Sequence, residues 1–560
     1  MPKPLLKYFA YYINRAIKKR GKGVIKRFEL SSTKLILIAA LYFGLVLNFG
    51  FWQFVNAHFE ISGWTGYAFW LSLPFFLVVP LYIFFNIIIL PYIAKPLLIV
   101  LVGISSITNY AMFELGIFID AEMFRNIVET NTREALDLVN LTSILWFVAT
   151  ALLPIALLLN IKIIYSSFKT ELLKRLKYTL LSLLTILCFV PVSYKEYVSF
   201  GRNNREVRKL INTFNYIYAV GKHYKRQAEA SRHFIILDDK PTISQDIKNT
   251  HKKLLILVVG ETARAQNFSL YGYNRETNPL LGKQDIITFA ETSSCGTATA
   301  ISLPCMFSVL DRKNFDVDDA KYMQNLMDLI KLSGYNAIWL ENDDGCKNVC
   351  HRITLEDMVA TQNPKHCEKG FCRDEVLLDG LEERLKTLKG NTVIVLHTMG
   401  SHGPTYYKRY TDGFKKFQPT CDTSDLQKCS KEEIINTYDN TILYTDFILS
   451  SAIDILKKFP EYETGLIYMS DHGESLGENN LYLHGLPYAI APDEQTKVPF
   501  LVWLSPQLKT SAKLDEICLK NKAEQGTHSH DNLFHSVLGL LDIQTKVYNP
   551  KLDIFQSCRK

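Results

Sequence analysis

The stretch KLLILVVGET, Lys253–Thr262, decides the fold. Its apolar core, Leu254–Val259, ends in Gly260 and then in an acid, Glu261. A short continuous apolar run closed by a turn residue reads as a strand buried on both faces. Later runs repeat the pattern: NAIWL (336–340) before ENDDGCK, TVIVLH (392–397) before HTMGSHGPTY, and GLIYMS (465–470) running into SDHGES. Helical stretches such as 321–332 and 373–389 intervene, so the alternation predicts an α/β domain with a parallel sheet. In such sheets ligands gather outside the carboxyl ends of the strands. Here those ends are followed by acids and histidines, all at one edge.

Upstream the composition changes. Five apolar runs, 33–54, 66–90, 94–116, 143–165 and 175–194, each approach or exceed the roughly 20 residues a membrane-spanning helix needs. Basic residues set their orientation. The first 30 residues carry a cluster that includes Arg15, Lys18, Lys19, Arg20, Lys26 and Arg27, and the fourth connection carries Lys162, Lys169, Lys174, Arg175 and Lys177. The third connection, 117–141, is acidic. Tail and fourth connection are therefore expected in the cytoplasm, and five crossings would export everything after residue 195. No small-residue cleavage site follows the first run, which reads as an uncleaved anchor. The stretch 201–234 mixes Arg and Lys with Ile, Phe and Tyr; it reads either as an interfacial helix on anionic lipid or as a solvated linker.

Cysteine usage gives an independent test of that topology. Of eleven cysteines, Cys188 lies in the fifth run and the other ten lie beyond residue 290. They fall as Cys295/Cys305, Cys346/Cys350, Cys367/Cys372 and Cys421/Cys429, leaving Cys518 and Cys558. An even number in one compartment suits disulfides in an oxidising space, with neighbour pairing the simplest arrangement. The net charge of +7 is mild for 560 residues, and no nucleic-acid partner is expected.

The bend ETSSCGTATAISLPCMFS, 291–308, holds two threonines, Thr297 and Thr299, with no histidine beside them. A metal could replace the missing base. Glu261, Asp471 and His472, together with a threonine oxygen, would form a four-coordinate zinc site of O and N donors, where a bound alcohol loses its proton readily. The alternative is that Asp471-His472 makes only ordinary polar contacts at a helix start. Thr297 lies in the bend, whereas Thr299 could begin a helix whose free N–H groups face a phosphate; that favours Thr299, and pattern alone goes no further.

The segments VVGETARAQNFSLYGY, SCGTATAISLPC, HTMGSHGPTYY and SDHGESLGENNLYLHGLPYAIAP closely resemble the bacterial lipid A phosphoethanolamine transferases. That family includes the mobile colistin-resistance enzymes and forms a membrane-bound branch of the alkaline phosphatase and sulfatase superfamily. The resemblance covers nearly the whole chain. The basic tail (1–30) is a departure that the catalytic reading leaves unexplained, beyond enforcing topology; after it the chain is expected to form a five-span helical membrane domain (31–195), a juxtamembrane linker with an interfacial helix (196–245) and a catalytic domain (246–560) with a sulfatase-like central sheet flanked by helices. The resemblance also implies a monomer in the bacterial inner membrane with its catalytic domain in the periplasm.

By the same resemblance Thr299 is the nucleophile, and Glu261, Asp471 and His472 are zinc ligands, with a second zinc possible. His402 and His484 match histidines that bind substrate or the second zinc. Lys347 could hold a phosphate oxygen, or be a solvated lysine beside a disulfide. Asn126, Thr130 and Glu134 recur every four residues and would share a helix face near the phosphoethanolamine head group; a merely solvated face is the alternative. Asp344 stands where the family carries a small polar residue. The expected chemistry is transfer of phosphoethanolamine from phosphatidylethanolamine to a lipid A phosphate through a threonine-bound intermediate. A phosphoglycerol transferase, a hydrolase, another acceptor such as a core sugar, a transporter and a lipid sensor are the rivals.

Overall fold

The computed structural model describes residues 28–114, 123–124, 141–229, 232–244, 252–368 and 370–560. Asn126, Thr130 and Glu134 lie outside them. The chain forms two compact units. One comprises residues up to Ser193 together with Arg205–Gln227; the other comprises Tyr194–Asn204 and Ala228–Lys560.

In the helical unit, α1 (Ser32–Val46) and α2 (Phe49–His58) meet at a 49° bend and are followed by α3 (Gly63–Ile88), α4 (Ala94–Glu114) and α5 (Leu141–Asn160). Among the described residues α3, α4 and α5 are long and apolar enough to cross a membrane, and the bent pair makes a fourth span if counted as one. Five were expected. The difference lies in α6 (Phe168–Phe189), whose first half carries Lys169, Glu171, Lys174, Arg175 and Lys177. Its uncharged part, from Tyr178 onward, falls short of the roughly 20 residues a span requires. Arg175 is buried: it donates to the carbonyls of Asn86 (2.7 Å) and Ile89 (2.9 Å) at the carboxyl end of α3 and pairs with Glu171 at 3.3 Å. A cation at that helix end meets the negative pole of its dipole.

The stretch expected to link the two parts is divided between them. The Asn212 side chain donates to the carbonyls of Leu47 and Ser105, both at 2.8 Å, and accepts from Thr108 at 2.5 Å. Its backbone N–H donates to Asn48 at 2.9 Å. These buried bonds fasten 205–227 to the helical unit. Asn212→Leu removes a donor from two buried carbonyls, and a loss of about 1–2 kcal/mol is expected, read as a lower melting temperature in detergent. By contrast α7 (Tyr194–Asn203) belongs to the other unit. Lys195 donates to the Cys429 carbonyl (3.0 Å) and Asn203 to that of Ser424 (3.0 Å).

The second unit is built on a seven-stranded sheet. Its strands are β1 (Lys252–Gly260), β2 (Ile287–Thr288), β3 (Asn336–Glu341), β4 (Thr354–Asp357), β5 (Thr392–His397), β6 (Tyr462–Ser470) and β7 (Phe500–Leu504), in the order β2-β7-β6-β1-β5-β3-β4. β6, β1, β5, β3 and β4 are parallel, as the alternation predicts. β7 runs antiparallel to β6 and β2 antiparallel to β7, so the sheet is mixed. The connection from β6 to β7 starts and ends at the same sheet edge, which an antiparallel neighbour permits without a crossover.

Side chains of β1 alternate between two cores. Leu255, Leu257 and Val259 pack with Leu303, Met306 and Phe307 on one face. Leu254, Ile256 and Val258 pack on the other with Ile434, Tyr438 and Ile442 of the long helix 431–456. Both faces are therefore covered, which explains the unbroken apolar runs. Five disulfides join Cys295–Cys305, Cys346–Cys350, Cys367–Cys372, Cys421–Cys429 and Cys518–Cys558, and Cys188 is free.

Candidate active site

Parallel register brings the acids and histidines together. Ser470 pairs with Gly260, and His397 pairs with both Val259 and Glu341. Glu261, Asp471, His397 and Glu341 thus stand at the ends of four adjacent strands. The chain turns sharply after β1: Thr262 has a positive φ of 54°, and its N–H donates to Asp471 Oδ1 at 3.2 Å. Two glycines allow close backbone approach. A Cβ on Gly400 (φ 48°) would lie 2.6 Å from the Glu261 carbonyl oxygen, and one on Gly473 would lie 2.1 Å from that of Glu494.

Thr299 is the first residue of α8 (Thr299–Met306), entered through extended Ala298. Its half-buried hydroxyl donates to Glu261 Oε2 at 2.9 Å and lies 3.3 Å from His472 Nε2. Thr297 is buried, and its hydroxyl donates to the Leu486 carbonyl at 2.6 Å. That distinguishes the two threonines. The Cys295–Cys305 disulfide ties the bend to the end of α8.

His472 Nδ1 lies 2.9 Å from the Gly473 carbonyl, which can only accept, so Nδ1 carries the proton and the Nε2 lone pair faces inward. Nε2 is 3.6 Å from Glu261 Oε1 and 3.4 Å from Asp471 Oδ2. All three side chains are fully buried. Burial, and then the Asp471 charge, push Glu261 well above the usual carboxylate range. Burial raises Asp471 to about 6, against hydrogen bonds that lower it. Burial likewise holds His472 below its ordinary value, outweighing the Glu261 charge. Asp471 Oδ2 has no hydrogen-bond partner although it is buried. Mutually repelling carboxyls, an orphaned oxygen and an inward lone pair form a donor set that a divalent cation fits.

Other expected residues divide. The His484 ring lies 4.3 Å from His472 and 5.8 Å from His402. One ligand atom each from Glu261, His472 and His484 lie within 4.8 Å of one another. His402 is held through its carbonyl, which accepts from buried Arg409 at 2.8 Å. The Lys347 ammonium donates to the Asp344 carbonyl at 2.5 Å and makes no hydrogen bond or ion pair with Glu261, Thr299, Asp471 or His472.

Sequence reasoning assigned no role to Glu474, which is fully buried. It accepts from Tyr406, lies 2.6 Å from His484 Nδ1, and burial raises its pKa to about 8. Its place in SDHGES, two residues past His472, was the available signal. Nor was a role assigned to Glu341, whose oxygens both lie 2.9 Å from His397 Nδ1, or to Arg202 of α7, which reaches His484.

Comparison with known proteins agrees with this architecture. Residues 77–228 match the family described as Phosphoethanolamine transferase EptA/EptB, and residues 253–543 match the Sulfatase family. The chain is 40% identical over 543 residues to phosphoethanolamine transferase EptA of Escherichia coli K12, covering 96% of this chain and 99% of that protein. It is 35% identical over 466 residues to phosphatidylethanolamine transferase Mcr-1 of Escherichia coli, covering 81% and 84%. Its fold is similar to the integral membrane lipooligosaccharide phosphoethanolamine transferase A of Neisseria meningitidis, with a TM-score of 0.64, 38% identity, and 95% and 100% of the two chains covered. A helical unit with membrane-length helices, a sulfatase-type sheet with its polar cluster at one edge, and relatives matched from end to end place this chain in the phosphoethanolamine transferase family.

Proposed function

We propose that this enzyme moves phosphoethanolamine from phosphatidylethanolamine to a phosphate of lipid A by double displacement at Thr299. One observation carries the proposal: the Thr299 hydroxyl, alone of the two in its bend, opens onto Glu261 and His472. The activities named for the relatives supply the transferred group, and their names support a phospholipid donor and a lipopolysaccharide-type acceptor.

The Thr299 oxygen attacks the donor phosphorus, the bond to the diacylglycerol oxygen breaks, and diacylglycerol leaves as the alcohol with the proton that the threonine has given up. Phosphoethanolamine is left esterified to the threonine. An oxygen of the acceptor phosphate then attacks the same phosphorus, the bond from phosphorus to the Thr299 oxygen breaks, and the proton that the acceptor gives up restores the Thr299 hydroxyl. In the resting arrangement that hydroxyl donates to Glu261, so its proton already points at a carboxylate. Glu261, Asp471, His472 and Thr299 would hold a zinc ion, which supplies Lewis-acid neutralisation of charge at phosphorus when bound. His402 and His484 line the adjoining space and are assigned to substrate. Asn126, Thr130 and Glu134 are assigned to the phosphoethanolamine head group on their four-residue spacing and the family resemblance, and Lys347 to a phosphate oxygen as a point charge.

The helical unit is assigned five crossings of the bacterial inner membrane, and the catalytic unit the periplasm, which suits its five disulfides. Enzyme, donor and acceptor would then share one membrane surface. The added ammonium offsets a lipid A phosphate and would weaken binding of cationic peptides. The test is mass analysis of lipid A incubated with zinc-loaded protein and phosphatidylethanolamine. A gain of one phosphoethanolamine, abolished by a chelator and restored by zinc, is expected. A phosphoglycerol adduct, or ethanolamine phosphate released without any gain on lipid A, would overturn the assignment.

A further inference from the structure

α7 places a cation against the site. Arg202 Nη1 lies 2.9 Å from His484 Nε2, and Nη2 donates to the His484 carbonyl at 2.5 Å. A guanidinium only donates, so His484 Nε2 is the acceptor. The ring proton then sits on Nδ1 and is given to Glu474 at 2.6 Å. His484 is therefore neutral, and Arg202 forms no ion pair with any described carboxylate. A half-buried guanidinium that donates to a neutral ring and a carbonyl, on a histidine whose ring lies 4.3 Å from that of His472, is a cation with no carboxylate in direct contact, though buried Glu474 feels its charge.

We propose that Arg202 is a phosphate-binding residue of the Thr299 site, its guanidinium passing from His484 to the oxygens of the substrate phosphate. Charge-assisted bonds from a guanidinium fork to phosphate are roughly twice as strong as neutral ones, so an arriving phosphate outcompetes the imidazole lone pair. No covalent bond changes in the exchange. Glu474, anchored by Tyr406, keeps the His484 ring oriented throughout. The inference rests on phosphoryl transfer at Thr299. The donor phosphodiester and the acceptor phosphate present the same oxygens, and kinetics separate them.

The test uses the full chain in detergent, zinc-loaded, with inorganic phosphate as probe. Arg202→Gln is expected to bind phosphate at least about tenfold more weakly, with zinc content and melting temperature retained. Slower formation of the Thr299 adduct from phosphatidylethanolamine would identify the donor as the gripped group, and slower discharge to lipid A the acceptor. Unchanged phosphate affinity in a folded, zinc-loaded Arg202→Gln overturns the proposal, as does a lower melting temperature alone, which would make Arg202 a clasp for α7. Should Arg202→Gln not fold, Arg202→Lys decides: a point charge that binds phosphate and reacts as the wild type does removes the case for a guanidinium fork. If wild type forms no phosphoethanolamine adduct yet loses phosphate affinity in Arg202→Gln, the transfer reading fails and the phosphate site stands.

Discussion

Thr299→Ala is expected to lower turnover by on the order of 10⁴-fold or more and to abolish the phosphoethanolamine adduct seen by intact mass. Thr297→Ala is expected to keep the adduct. The two residues are one alanine apart, yet their hydroxyls have different uses. Thr299 Oγ1 is 2.9 Å from Glu261 and 3.3 Å from His472, and is half-buried at the amino end of α8. The N–H groups of Ile301 and Ser302 both donate to the Ala298 carbonyl (3.0 and 2.9 Å), which leaves those of Thr299 and Ala300 at the helix start to face an anion that reaches the threonine. Thr297 spends its hydroxyl on the Leu486 carbonyl. Losing that bond costs about 1 kcal/mol, a few-fold effect if it loosens the bend. Zinc content separates chemistry from assembly, because Thr299→Ala keeps Glu261, Asp471 and His472. An adduct on Thr299→Ala, or none on a zinc-loaded wild type under conditions of turnover, would remove Thr299 as nucleophile.

Much of this site could be read from sequence because the strands that carry it, β6, β1, β5 and β3, are parallel and buried on both faces. Each strand is then an unmistakable apolar run, and the first polar residue after it falls on the functional edge; Glu261 and Asp471 were found that way. The choice between Thr297 and Thr299 was not legible from residue pattern, since it turns on a carbonyl some 190 positions away, with a separation of 189. Arg202 was hidden for the same reason. It lies 282 positions from His484 in a stretch whose composition suits a lipid surface, and only the fold assigns its helix to the catalytic unit. Among the described residues three helices, or four with the bent pair, have the length and composition of a span, and α6 differs from them because charges crowd its first half. Antiparallel β7 escaped notice because FLVWL carries no mark of direction.

His397→Gln is expected to be the most destabilising single change at the sheet edge, by about 3–5 kcal/mol, because it strands a buried carboxylate. His397 is fully buried, with Nδ1 2.9 Å from both oxygens of Glu341 and Nε2 3.8 Å from Asp343 Oδ2. Burial alone would lower its pKa, but the Glu341 charge and hydrogen bonds, aided by Asp343, raise it from 6.5 to about 9. Burial opposes ionisation of Glu341 as well, and the His397 charge with its hydrogen bonds still holds that carboxyl below its ordinary range. Both shifts describe one ion pair. A histidine with a raised folded pKa stabilises fully below its unfolded value and loses that contribution as pH climbs through the folded one. Between pH 6.5 and about 9 the wild type should therefore lose about 3 kcal/mol from this group. His397→Gln should lie lower throughout and lack that slope, and the double variant His397→Gln/Glu341→Gln should recover part of the loss, since two amides leave no buried charge. The measurement is the melting temperature of the full chain in detergent from pH 6 to 10, with zinc held constant. A single variant that melts like wild type and keeps its slope would show that the pair is not charged, and that the edge carrying Glu261 and Asp471 gets its electrostatic balance elsewhere.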